Sequence, residues 1–142
     1  MSLETIKTLV DELTTLHVTR GVQPSELVDN LFEDEYVESS ARKTSAGLIF
    51  ELTFTETAEE ESSSKVTMRY TYDRNRHLVR VEQKVATKRF CVQWDRARAV
   101  QERIEKLEVL LSGKLPHARV ARILATIPKD YLALAPRLQL VA

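Results

Sequence analysis

Residues 47–73 read GLIFELTFTETAEEESSSKVTMRYTYD, and their period decides the fold. Leu48, Phe50, Leu52 and Phe54 alternate with Ile49, Glu51, Thr53 and Thr55. A two-residue repeat sends successive side chains to opposite faces of a pleated strand, so one face is buried and one is wet. Val66, Met68, Tyr70 and Tyr72 repeat the pattern, with Lys65, Thr67, Arg69 and Thr71 facing the other way. Between the two runs, residues 56–64 (ETAEEESSS) offer little apolar area to bury, which predicts a mobile hairpin loop.

Working outward from this hairpin, Asp73-Arg74-Asn75-Arg76 is a tight turn in which Asn75 suits a left-handed backbone. A third strand begins near His77. Val79, Val81 and Val85 share one parity, whereas Phe90, Val92 and Trp94 share the other. A one-residue phase change reverses every side chain, so residues 86–89 hold a bulge or a short turn. The meander has three strands (about 47–56, 64–73 and 77–93), or four if the last one breaks. Upstream, residues 33–47 lose periodicity and read as a connection with a short extended piece around Tyr36.

The flanks return to helical period. Leu3, Ile6, Leu9, Val10, Leu13 and Leu16 form one face of a helix over 3–17, with Ser2 as N-cap and Gly21 in the turn that follows. Pro24 opens a helix over 24–33, with Leu27, Val28, Leu31 and Phe32 inward. After the meander, a helix covers about 95–112, from Asp95 as N-cap to Gly113 as the C′ residue. Another covers 116–127, between Pro116 and Pro128, followed by a packed apolar tail over 128–142. The expected fold is a single α+β domain spanning 1–142: an antiparallel meander packed on one face by N-terminal and C-terminal helices, a two-layer sandwich. At the level of element order, helix–meander–helix–helix is similar to the small RWD-type modules used as docking units in large assemblies. A fold alone does not carry a function.

A chain of 142 residues with 43% hydrophobic and 30% charged residues can bury a core without a disulfide or a metal. Cys91 is the single cysteine, so no intrachain disulfide forms. The start, MSLETIKTLV, carries Glu4 and no long apolar run, unlike a signal peptide, and no stretch reaches the ~18 apolar residues of a membrane span. These features predict an intracellular protein, of cytoplasm or nucleus, with no membrane partner.

Site chemistry is sparse. Cys91 sits between Phe90 and Val92 in a strand-like run and reads as a small structural residue rather than a nucleophile with its base. His17, His77 and His117 lie on three elements, without the spacing of a zinc site, and His77 reads as solvent-exposed. Gly21, Gly47 and Gly113 are the only glycines, too few for a phosphate-cradling loop. The acids Glu59, Glu60 and Glu61 share one solvated loop, which cannot push their pKa values apart as catalysis requires. No catalytic residue, cofactor or metal ligand is assigned.

The charges are segregated although the net charge is zero. Residues 1–64 carry fourteen acids against Lys7, Arg20, Arg42 and Lys43, and residues 65–100 carry ten bases against Asp73, Glu82 and Asp95. The bases give a candidate interaction surface at Arg69, Arg74, Arg76, Arg80 and Lys84, centred on the meander edge around Arg74, Arg76 and Arg80. A second candidate is the helix after the meander. Ala97, Val100, Ile104, Leu107 and Leu111 follow coiled-coil spacing, with Arg103 and Glu108 placed to pair between chains.

The reading is a non-enzymatic protein–protein interaction module, a subunit or adaptor of a larger assembly, for which a second copy of the chain is one candidate partner. The alternative is a nucleic-acid-binding protein using the basic meander surface; nucleic acid ranks behind protein because Tyr70 and Tyr72 share the apolar face and are not free to stack on bases. A second alternative is a small-ligand carrier or enzyme with a site between sheet and helices.

Overall fold

The computed structural model describes residues 3–57, 63–111 and 115–126. Contacts divide it into two compact units, a helical one from Met1–Thr19 with Ala97–Ala142 and a sheet one from Arg20–Arg96. The α+β class is as expected, with an antiparallel sheet and helices in the N- and C-terminal regions. The sheet, however, has five strands, in the order β1-β2-β3-β4-β5. They are β1 (Tyr36–Thr44), β2 (Gly47–Thr57), β3 (Ser63–Asp73), β4 (Leu78–Val85) and β5 (Cys91–Asp95).

Two differences from the sequence reading account for the count. Residues 77–93 do not form one bent strand. Ala86 takes a left-handed φ of 53°, its N–H donates to the Lys65 carbonyl (2.7 Å), and Lys88 N–H closes a turn on Val85 (3.0 Å). This turn is the phase change in the sequence, and it sends β5 back along β4. The other strand is β1, in the segment read as a connection. It pairs with β2 from Tyr36↔Phe54 to Thr44↔Gly47, and its side chains are almost all exposed. An edge strand that buries little on either face has no need of apolar alternation, so its period is silent.

The buried face of the sheet is the expected one. Phe50, Leu52 and Tyr72 are buried with Leu78 and with Leu27 from the short helix α2 (Pro24–Val28). The chain ahead of α2 is stitched to this face. Tyr72 Oη donates to the Val22 carbonyl (2.6 Å), Leu78 N–H to the Arg20 carbonyl (2.8 Å), and Gln23 Nε2 to the Arg76 carbonyl (3.0 Å). Gly21, at φ 82°, lies against Leu78, whose Cβ would be 2.9 Å from any added Cβ. Its left-handed backbone and this close approach both call for glycine.

The second helix is shorter than 24–33. After Val28 the chain tightens to a 3₁₀ turn, Asp29–Phe32, with three residues per turn instead of 3.6. Leu31 stays against the core, but Phe32 is turned out to 90% exposure and Val28 is also exposed. In the β3–β4 turn the left-handed residue is Arg76 (φ 69°), not Asn75. Asp73 Oδ1 accepts from both Asn75 N–H and His77 N–H at 2.9 Å, which holds the loop closed.

The helical unit contains α1 (Leu3–Val18), α3 (Arg96–Leu111) and α4 (His117–Leu124). Ile6, Leu9, Val10 and Leu13 of α1 bury with Val100, Ile104, Leu107 and Leu111 of α3 and Ile123 of α4. The acidic loop is shorter than 56–64, since Glu56↔Ser64 and Thr57↔Ser63 still pair. Residues 58–62 within it, Ser2, Gly113 and the tail over 128–142 lie outside the described residues.

Candidate interaction surfaces

The basic residues of the meander do not form one free patch. Arg69 and Glu82 stand opposite each other in the β3–β4 register. The guanidinium donates from Nε (3.0 Å) and Nη2 (2.8 Å) to the two carboxylate oxygens, and the Phe90 ring stacks on it with its centroid 3.8 Å from Cζ. Lys84 Nζ lies 5.2 Å from the same ring centroid. A forked Arg–carboxylate pair under an aromatic ring is well ordered and partly shielded from water. Beside it the hydroxyls of Thr53 and Thr67 bond at 3.0 Å across β2 and β3. The face expected to be wet is therefore closed at its centre, where Thr53 and Glu82 are both buried.

Hydrogen bonding to Arg69 holds the Glu82 carboxyl below the ordinary carboxylate value, and the same pairing raises Arg69 above its own. A depressed folded-state value means the pair stabilises fully above the ordinary value near 4.5 and loses that contribution as pH falls through the folded value. Glu82→Gln is expected to cost about 1–2 kcal/mol at neutral pH, and the difference from wild type should shrink as pH drops below that value. Urea unfolding at several pH values, followed by Trp94 fluorescence, measures it.

The other basic candidates scatter. Arg80 Nε lies 3.4 Å from Asp95, and Arg74 Nε donates to the Ser45 carbonyl (2.9 Å) in the β1–β2 turn. Arg76 is exposed in the β3–β4 turn. Arg74 and Arg76 thus gather at the end of the sheet where Gly47 meets Asp73, apart from Arg69 and Lys84 along the strands. Cys91 is exposed in β5 rather than packed, and His77 is half-buried with Nδ1 3.6 Å from Asp73, not simply solvated. Among the described residues no group of three or more His, Cys, Asp or Glu side chains could hold a metal ion, and no helix is long and apolar enough to cross a membrane.

The association helix α3 turns its seam into its own unit. Val100, Ile104, Leu107 and Leu111 are buried against α1, whereas Ala97, the first residue of the expected seam, is exposed. Arg103 Nε donates to Glu12 of α1 (2.8 Å), and Arg103 Nη1 to the Ala99 carbonyl (2.9 Å). The a/d residues therefore meet α1 of the same chain, so their spacing alone does not call for a second copy. An open groove of about 690 Å³ runs beside the seam, lined by Thr8, Leu9, Glu12, Glu105, Val109 and Leu110 among others.

The surface that sequence reasoning missed is the outer edge of β1. Nine residues long, it ends the sheet, and every side chain but Tyr36 and Ser39 is exposed. Val37 bulges between Tyr36 and Glu38, half exposed, and Phe32 stands exposed just ahead of the strand. The signal that could have found it is Ser45-Ala46-Gly47, a short turn joining Thr44 to a strong strand, which implies a partner strand upstream. No protein-family model, curated protein or solved structure matches this chain.

Proposed function

We propose that this chain is a non-enzymatic interaction module, a subunit or adaptor of a larger assembly, that makes its contact through the sheet edge at β1. The observation that carries this reading is the nine-residue edge strand, which pairs on one side only among the described residues, with its exposed flank at Phe32 and Val37. The bulge at Val37 interrupts only the start of the strand, and from Glu38 to Thr44 the register to β2 is unbroken, so the outward backbone groups of this stretch are available to a partner strand. Adding a partner's strand to an open edge supplies main-chain hydrogen bonds for affinity and alternate side chains for specificity. The basic surface at Arg69 and Arg80 serves this reading less, since both guanidiniums face carboxylates of their own sheet.

Native mass in an extract of the host tests the reading. The protein should migrate in an assembly heavier than the 16.3 kDa of one chain. A single-chain mass at physiological salt and expression level would contradict it.

A further inference from the structure

We infer that β1 pairs with β1 of a second copy, antiparallel and two-fold symmetric about Ser40. The inference rests on the interaction-module reading and names its partner and register. The link from Thr44 to Gly47 is only Ser45-Ala46, so those two residues close the hairpin as a hydrogen-bonded pair. Bonded and unbonded pairs alternate from there, which turns the N–H and C=O of Ser39, Ala41 and Lys43 away from β2. These are the groups a further strand takes up.

Charge selects the strand and its direction. Glu33, Asp34, Glu35 and Glu38 lie before and at the start of β1, and Arg42 and Lys43 lie near its end. Arg74 joins the basic end through its bond to Ser45. An antiparallel copy lays each acidic end against a basic end, and a parallel copy would lay like on like. With the pair centred on Ser40, Ser39 of each copy exchanges backbone bonds with Ala41 of the other. Glu38 then stands opposite Arg42 in an unbonded pair, where side chains approach most closely. Both are exposed, on the sheet face they share with Thr53 and Ile49 of β2. Centring the pair on Glu38 or on Arg42 would set like charges directly opposite. The contact uses the same patch on both copies, so it closes on itself at this edge instead of propagating.

Sedimentation velocity of the full chain over a range of concentrations tests this. A reversible monomer–dimer equilibrium is expected. Glu38→Arg and Arg42→Glu should each weaken it by roughly tenfold, because each change acts at two symmetric positions. The double variant E38R/R42E, which restores opposite charges, should recover the wild-type constant to within about threefold. Ala41→Pro removes an outward N–H and should abolish the dimer; far-ultraviolet circular dichroism checks that each variant is folded. A monomer at every concentration, or a dimer indifferent to both single charge reversals, overturns the inference. A monomeric pure chain that still migrates in a heavier host assembly would sink this pairing and leave the module reading standing.

Discussion

Ile104→Ala is expected to destabilise the helical unit by about 3–4 kcal/mol, a large share of the total stability of a small domain. Ile104 is fully buried in the α1–α3–α4 cluster, so truncation removes buried methyl groups and leaves a cavity that two packed helices cannot close. Val109, on the same helix, is 67% exposed, and Val109→Ala should shift stability by less than about 0.5 kcal/mol. Urea denaturation of both variants, followed by far-ultraviolet circular dichroism, reads the difference. The pair of variants also separates two roles for the seam. If Ile104 met a second chain rather than α1, its truncation would dissociate a dimer and leave the monomer's stability nearly unchanged.

Gly47→Ala is expected to cost about 3–5 kcal/mol in the sheet unit. An added Cβ would collide with the Tyr72 carbonyl oxygen and come within 2.8 Å of the Asp73 carbonyl carbon. Both are backbone atoms of β3, so neither can swing aside as a flexible side chain would. The backbone at Gly47 has φ 155°, which adds strain for any L side chain. The damage falls where β1, β2 and β3 meet, because Gly47 pairs with Thr44 on one side and Asp73 on the other. Trp94, the only tryptophan, packs against the sheet core and reports its unfolding by fluorescence. A midpoint unchanged from wild type would contradict this placement of Gly47.

The parts of the fold that bury an apolar face were legible. Leu48 to Phe54 and Val66 to Tyr72 alternate because one face of the sheet is buried, where Phe50, Leu52, Tyr72 and Leu78 cluster with Leu27 of α2. The period of α1 and α3 reflects the shared core of Ile6, Leu13, Ile104 and Leu107. The parts that bury little were not legible. Tyr36–Thr44 is a strand held by its backbone ladder to β2, and its polar, exposed side chains carry no period. Phe32 is apolar at an apparently inward position, yet a switch from α to 3₁₀ pitch moved it to the surface.

The candidate surface was harder still to read. Arg69 looked like part of a basic patch because its pairing with Glu82 depends on a register that includes a bulge near Thr71 and Tyr72. Likewise heptad spacing places Arg103 to pair with Glu108 of another chain, but its partner Glu12 is remote in sequence and comes from α1. Charge segregation was real information, and its use is local: acidic residues lie ahead of and at the start of β1 and basic residues near its end, and neither group takes part in an ion pair among the described residues.

Residue-resolved amide exchange along β1 tests the account most directly. In dilute solution the amides of Ser40, Arg42 and Thr44, which face β2, should be protected, and those of Ser39, Ala41 and Lys43 should exchange rapidly. Raising the protein concentration should slow exchange at Ser39 and Ala41 alone. Uniformly fast exchange across residues 36–44 at every concentration would show that the segment is a connection, and would remove the edge on which the proposed function stands.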